Sequence, residues 1–261
     1  MNKQVNLVYF SATDRTAQVV KAVANGMGRY IKEYNITLPS NRECNITFKR
    51  NEVVIIGVPV YGGRIPEFLV EVLARMKGNK TAAILVTVYG NRNYDDALLE
   101  LRDIVDKNGF IVIAGGAFIG EHTYTNRVGT NRPDQKDLQK AEEFGAHAEE
   151  KISLVEDLLN APRLFIKGNF PYKERKIGPK CAPVTNSDCT NCGTCANNCP
   201  MGAINFDNCS DINIENCINC CSCIQKCPSS AKSFVHEHIT NITDWLIDNY
   251  SETRNEPEIF I

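Results

Sequence analysis

The first 180 residues hold a single cysteine, Cys44, although the 261-residue chain has twelve. One thiol allows no disulfide within that stretch. Long apolar runs are also missing: "MNKQVNLVYF" turns polar at "SATDRT", so it lacks the apolar core of a signal peptide, and no run reaches membrane-spanning length. A cytoplasmic protein with no membrane span is expected, and the sequons at Asn35 and Asn241 are then chance matches. Net charge is nearly absent as well. At −2 the chain has no general attraction for polyanions and shows no basic patch, which argues against nucleic acid as a partner.

Eleven of the twelve cysteines lie at or after Cys181, so the chain changes character there. Before that point, "VNLVYF", "VVIIGVPV", "TAAILVTVY" and "FIVIAGGAFI" are near-continuous β-rich runs of the kind buried on both faces of a parallel sheet. Helical patterns separate them. Val20, Val23, Ala24 and Met27 form one apolar stripe, Ala97, Leu98, Leu101 and Val105 another, and a last helix is expected from about Asp134. The alternation predicts an α/β fold with a five-stranded, doubly wound parallel sheet, whose ligands bind at the carboxyl ends of the strands.

Three loops on that rim carry chemistry. "SATDRT" runs straight into a helix and offers the hydroxyls of Ser11, Thr13 and Thr16, free backbone N–H groups and the positive helix end to one phosphate group. Taken alone, a plain N-cap explains those residues equally well. "PVYGGRIP" and "YGNRNYDD" follow the next strands with aromatics for stacking and glycines that let backbone approach a planar ring. "GGAFIG" is read as close strand packing rather than a dinucleotide fingerprint.

On these loops, residues 1–157 resemble the flavodoxins, whose first loop reads roughly Ser/Thr-x-Thr-Gly-x-Thr. The resemblance implies FMN as cofactor. Its phosphate would be held by Ser11, Thr13 and Thr16 with the N–H groups of Ala12, Thr13, Asp14 and Arg15. The ring would lie among Pro59, Val60, Tyr61, Gly62 and Gly63 on one side and Tyr89, Gly90, Asn91, Asn93 and Tyr94 on the other. Tyr61 and either Tyr89 or Tyr94 would flank it, with Gly62 or Gly63 facing flavin N5. Asp14 departs from the family's Gly and places a carboxylate beside a phosphate unless it turns outward or pairs with Arg15.

In a reducing compartment the clustered cysteines read as metal ligands. "CTNCGTCANNCP" and "CINCCSCIQKCP" align at a shift of 28 residues, with Ala203 falling on Ala231 and Phe206 on Phe234, an internal duplication. A C-x2-C-x2-C-x3-C-P run wraps three thiolates round one [4Fe-4S] cube and sends its fourth to the other. Cys189, Cys192, Cys195 and Cys227 should therefore hold one cluster, and Cys217, Cys220, Cys223 and Cys199 a second. Structural zinc prefers separated ligand pairs round one ion. Residues 181–235 resemble the bacterial two-cluster ferredoxins, a small α+β domain. Cys44, Cys181, Cys209 and Cys221 are left as buried or idle thiols, with Cys221 placed to compete for iron in a damaged cluster.

Residues 158–180, rich in Pro, Gly and basic residues, read as an extended basic linker. Residues 236–261 read as an amphipathic helix, with Ile239, Ile242, Leu246 and Tyr250 on one face, and a tail docking on the body. The whole chain resembles flavodoxin–ferredoxin fusion proteins of anaerobic bacteria and archaea. That resemblance implies a redox relay between two [4Fe-4S] clusters and FMN, served by a ferredoxin-type donor or an oxidoreductase as partner. The alternative is a flavin enzyme reducing a small-molecule acceptor. The loop from Glu121 to Pro133 is long enough for a lid, and His122 and Tyr124 are its candidate catalytic residues, with Arg127 as a candidate anion contact.

Overall fold

A strand covered on both faces needs an apolar side chain at nearly every position, and the four expected runs meet that requirement. They are β1 (Val5–Tyr9), β4 (Val53–Pro59), β6 (Thr81–Tyr89) and β7 (Phe110–Ile119). The structure is a computed structural model that describes residues 4–29, 31–42, 45–154, 162–176 and 178–261. Cys44 and the expected boundary at 157 lie outside the described residues.

The helices packed on this sheet are α1 (Arg15–Gly26), α2 (Glu67–Ala74), α3 (Ala97–Lys107) and α4 (Gln135–Leu154). Strand β2 (Ile31–Asn35) supplies the fifth parallel strand, and the short strands β3 (Thr47–Phe48) and β5 (Lys77–Gly78) pair with each other. Sheet order is β2-β1-β4-β6-β7, the 2-1-3-4-5 arrangement of flavodoxin-like folds, with every pair parallel. Alternate side chains serve two cores. Val5, Leu7, Val53 and Ile55 pack with α1 and α4, whereas Val8, Phe10, Val54 and Ile56 face α2 and α3. Burial at this level contributes about 1.5–3 kcal/mol per large aliphatic side chain. Helices α1 and α4 cross closely because Gly26 and Gly145 lie at the contact; a Cβ on Gly145 would sit 2.0 Å from the Val23 carbonyl oxygen.

The remaining elements are β8 (Val184–Thr185), α5 (Thr194–Asn197), α6 (Ser222–Gln225), β9 (Lys232–Ser233), α7 (Glu237–Tyr250) and β10 (Glu258–Phe260). Strands β8 and β9 pair antiparallel and bring the start and end of the cysteine-rich segment together.

Two findings go beyond the expected architecture. First, β10 adds an antiparallel sixth strand to the sheet, with Glu258, Ile259 and Phe260 opposite Ala117, Gly116 and Gly115 of β7. Second, the connector is strapped down along residues 162–176 rather than free. Leu164 and Ile166 are buried in the α2/α3 core, and the carboxylate of Asp96, itself fully buried, accepts from the N–H groups of Asn169 at 2.7 Å and Lys173 at 2.6 Å. Helix α7 buries Ile239 and Leu246, while Trp245 stays 48% exposed and stacks edge-on with Tyr250.

Candidate functional site

The duplication in sequence is also a duplication in backbone. Asn191 and Asn219 (φ 54° and 55°), Gly193 and Cys221 (75° and 61°), and Gly202 and Ser230 (59° and 52°) all adopt left-handed conformations at the same 28-residue shift. Gly193 and Cys221 each precede one of the short helices α5 and α6. A glycine takes that conformation freely, but Cys221 does so at a cost of roughly 1–2 kcal/mol. The peptide N–H of Ala203 donates to Cys199 Sγ at 3.2 Å, and that of Ala231 to Cys227 Sγ at 3.3 Å, the same contact in each repeat.

The cysteines stand round two cavities. One is lined by Cys189, Cys192, Cys195 and Cys227, the other by Cys199, Cys217, Cys220 and Cys223, so each cavity takes three cysteines from one repeat and one from the other. Among the described residues no three His, Cys, Asp or Glu side chains gather tightly enough for a single metal ion. Burial pushes the Cys220 and Cys223 thiols up to about 12, so neither ionises at neutral pH without a nearby cation. Iron supplies that positive charge in a thiolate-ligated cluster, and this donor set fits one.

A fifth cysteine adjoins each cavity. Cys209 lines the first and Cys221 the second, and Cys181 contacts the side chain of Asn219, which also takes the Cys217 thiol. Cys181 and Cys209 are themselves 28 residues apart, each eight residues before a motif. That spacing was the signal by which they could have been joined to the repeat.

At the rim of the sheet, the loop after β1 turns through Asp14 in a left-handed conformation, φ 65°, the geometry for which flavodoxins use glycine. Its carboxylate points outward and pairs with Lys226 rather than with Arg15; Arg15 instead pairs with Glu121 at 2.9 Å. Ser11 Oγ accepts from the Ala17 N–H at 3.0 Å, while Thr13 and Thr16 are buried beside it. Among the described residues no protein acceptor takes the N–H groups of Ala12 to Thr16. Of these residues Thr13, Asp14 and Arg15 line a cleft of about 400 Å³ that also includes His122, Tyr124 and Lys226. Five free donors at a helix start fit a phosphate-bearing group.

The loop after β6 departs from expectation. Tyr89 and Tyr94 lie in the core, 7% and 4% exposed, with the Tyr94 hydroxyl donating to Glu258 of β10. Asn91 is fully buried, and its side-chain amide donates to the carbonyls of Thr253 and Tyr250. Asn93 accepts from the Asp95 N–H, and Gly90 lies beneath the His122 ring. The C-terminal tail has taken up this loop, so none of these five residues faces the cleft. On the other loop, Gly62 is exposed, Gly63 packs on Asp95, and Tyr61 closes a tight turn with Arg64.

Helping to fill the place of that wall are His122 and Tyr124. Burial holds the His122 imidazole down to about 4, and its Nδ1 accepts from the Tyr124 N–H at 3.2 Å, so it is neutral at ordinary pH with its proton on Nε2. That weakens its case as a general acid. Arg127 is exposed and stands away from the cleft lining. The Tyr124 ring meets Phe234 edge-on, at 6.0 Å between centroids. Burial also raises the Tyr61 and Tyr124 hydroxyls.

The cysteine-rich segment is therefore docked on the sheet's rim. Arg42 donates to the Pro200 carbonyl and stacks on Phe68 at 4.9 Å, Gln225 donates to the Thr123 carbonyl, and Ile218 and Cys220 pack against the α2/α3 core. Arg42 and Lys226 drew no attention in the sequence, and Phe234 only as the counterpart of Phe206, because nothing in their spacing says which surface they meet.

The family model described as a 4Fe-4S binding domain matches residues 182–205, the span of the first motif. No match is found among curated proteins. Among solved structures the chain is similar to a flavodoxin from the domain Archaea, at 15% identity over 57% of this chain and 99% of that one, TM-score 0.42. It is also similar to a Streptococcus pneumonia TIGR4 flavodoxin, at 19% identity over 58% of this chain and 99% of that one, TM-score 0.40. A rubredoxin oxygen:oxidoreductase from the anaerobe Desulfovibrio gigas matches at 15% identity over 62% of this chain and 38% of that one, TM-score 0.41. The chain thus joins a flavodoxin-like α/β fold, read from its own strand order, to a ferredoxin-type 4Fe-4S segment, an assembly suited to electron transfer.

Proposed function

We propose that the protein is an internal redox relay of anaerobic metabolism, with two [4Fe-4S] clusters feeding or draining an FMN site. The observation that carries this reading is the rim of the sheet, where Thr13, Asp14 and Arg15 share a cleft with Gln225 and Lys226, which lead into Cys227, while Cys220 of the second cavity packs against the α2/α3 core. Iron–sulfur clusters exchange single electrons, whereas a flavin takes one or two. Ala12 to Thr16 would hold the FMN phosphate, and Tyr61, His122 and Tyr124 would lie on the ring side. The second cavity is then the inner one. The first is the outer one, since Cys192 is exposed and the nearby Phe206 is 59% exposed, a surface a donor protein can approach. Docking on one chain removes the diffusional step between centres.

The test begins with composition: oxygen-free protein should carry eight irons, eight acid-labile sulfides and one FMN per chain under the ligand pattern of two-cluster ferredoxins, roughly twice the iron of a single cube. Replacing both Cys199 and Cys227 by Ser should remove visible cluster absorption while FMN stays bound. A ferredoxin-type donor should then reduce the FMN far more slowly than in the parent protein. Unchanged reduction without clusters would remove them from the electron path. To separate a carrier from an enzyme, the same variant is pre-reduced with dithionite and offered small-molecule acceptors; a single turnover at the flavin would favour the enzyme.

A further inference from the structure

The two cavities differ at one equivalent position. Five residues after Cys199 stands Ile204, which lines the second cavity; five residues after Cys227, at the same 28-residue shift, stands Lys232, which lines the first. Lys232 is 4% exposed and Ile204 8%, so the duplicated fold buries a cation in one half and a hydrocarbon in the other.

Strand pairing holds Lys232 there, with Thr185 of β8 directly opposite. Its ammonium donates to Thr185 Oγ1 and to the Cys209 carbonyl, both at 2.7 Å. An ammonium has three donors, so one is unspent. Among the described residues no carboxylate pairs with it, yet a buried charge is retained only where another charge or strong acceptors answer it. A cube held by four thiolates carries net negative charge and sulfur acceptors, which is what this cavity would supply.

We propose, resting on the two-cluster reading above, that Lys232 splits the clusters' reduction potentials, making the cluster at Cys189, Cys192, Cys195 and Cys227 the easier of the two to reduce. Reduction adds one electron to a cube and breaks no bond, so the reduced cube carries one more negative charge. A buried ammonium favours that form. Ile204, with Ile212, Ile218 and Pro183, surrounds the second cube with apolar groups that disfavour it. Exposure of Cys192 acts in the same direction as Lys232. An electron arriving from outside would rest on the outer cluster and move inward only as the flavin site draws it.

The test is a potentiometric titration of the holoprotein, followed by low-temperature EPR, which the parent should answer with two separate one-electron waves. In Lys232→Met the higher wave should fall by at least a tenfold change in its equilibrium, about 59 mV for one electron, and the lower wave should move much less. Lys232→Arg should keep the parent values. Lys232→Gln, which retains hydrogen-bond donors to Thr185 and Cys209 without the charge, should behave like Lys232→Met and serves if the latter fails to load iron. Unmoved waves in a charge-removing variant with a full iron complement would overturn the proposal, as would a fall confined to the lower wave. A parent protein with only one cluster would instead refute the two-cluster reading on which the proposal stands.

Discussion

Asp14 and Lys226 form an ion pair of 3.2 Å between the turn that follows β1 and the C-terminal cap of helix α6, next to Cys227. The residue that departs from the flavodoxin pattern is thereby a clasp for the second half of the chain. Asp14 is largely exposed, so the pair contributes at most about 0.2–1 kcal/mol and weakens as salt rises. Asp14→Gly should relieve a left-handed non-glycine and leave Lys226, which lines the same cleft, without its carboxylate partner, tightening FMN binding roughly three- to tenfold. The same variant, and Lys226→Ala, should slow donor-driven flavin reduction at low salt and match the parent at high salt. Rates that stay equal at every ionic strength would show that the clasp does not hold the two halves in register.

Thr13 lines the cleft beside five amides that have no protein acceptor among the described residues. Thr13→Val keeps its shape and removes one donor to a dianion, which should cost about 1.5–3 kcal/mol of FMN affinity. Riboflavin, lacking the phosphate, should bind the parent and variant alike. Fluorescence titration with both ligands decides the matter; equal losses would return "SATDRT" to the role of a helix cap.

Asn91 is fully buried, and its side chain both donates to the Thr253 carbonyl at 2.6 Å and accepts from the Asn255 N–H at 3.2 Å. Asn91→Ala strands buried peptide groups of the tail and puts alanine at φ 57°. A loss of roughly 2–4 kcal/mol is expected in denaturant unfolding, together with faster protease cleavage after α7. A change under about 0.5 kcal/mol would mean that the tail is not anchored here.

His122 titrates near 4 in the folded chain because it is buried, against about 6.5 when unfolded. Between those values the unfolded chain binds a proton that the folded chain does not. Stability is therefore full above about pH 6.5 and declines as pH falls toward 4, by on the order of 3 kcal/mol over the whole window. His122→Asn should flatten that slope between pH 7 and 5.5, a range chosen to spare acid-labile clusters. If parent and variant lose stability in parallel, His122 is not the group responsible.

What the sequence made legible follows from how local each signal is. Strands β1, β4, β6 and β7 announce themselves because both their faces are buried, whereas β2, with "IKEYN" half exposed at the sheet's edge, carries no such run. Strand β10 was unreadable for a different reason: three residues have no periodicity, and their partner lies far away in sequence. The cysteine sets emerged from spacing alone, since the repeat encodes its own crossing. Tyr89, Tyr94 and Asn91 misled because an aromatic loop after a strand looks the same whether it faces a ligand or a returning tail. The charge difference between Ile204 and Lys232 was visible in the alignment, but its meaning required knowing that both positions line cavities.

Strand β10 also sets an order in time. Residues 258–260 leave the ribosome after the entire cysteine-rich segment, yet they complete the edge of a sheet whose other strands were made first. Until then β7 presents an unpaired edge, the usual site of wrongful strand pairing. The nascent α/β unit must wait with that edge open while residues 181–257 are synthesised.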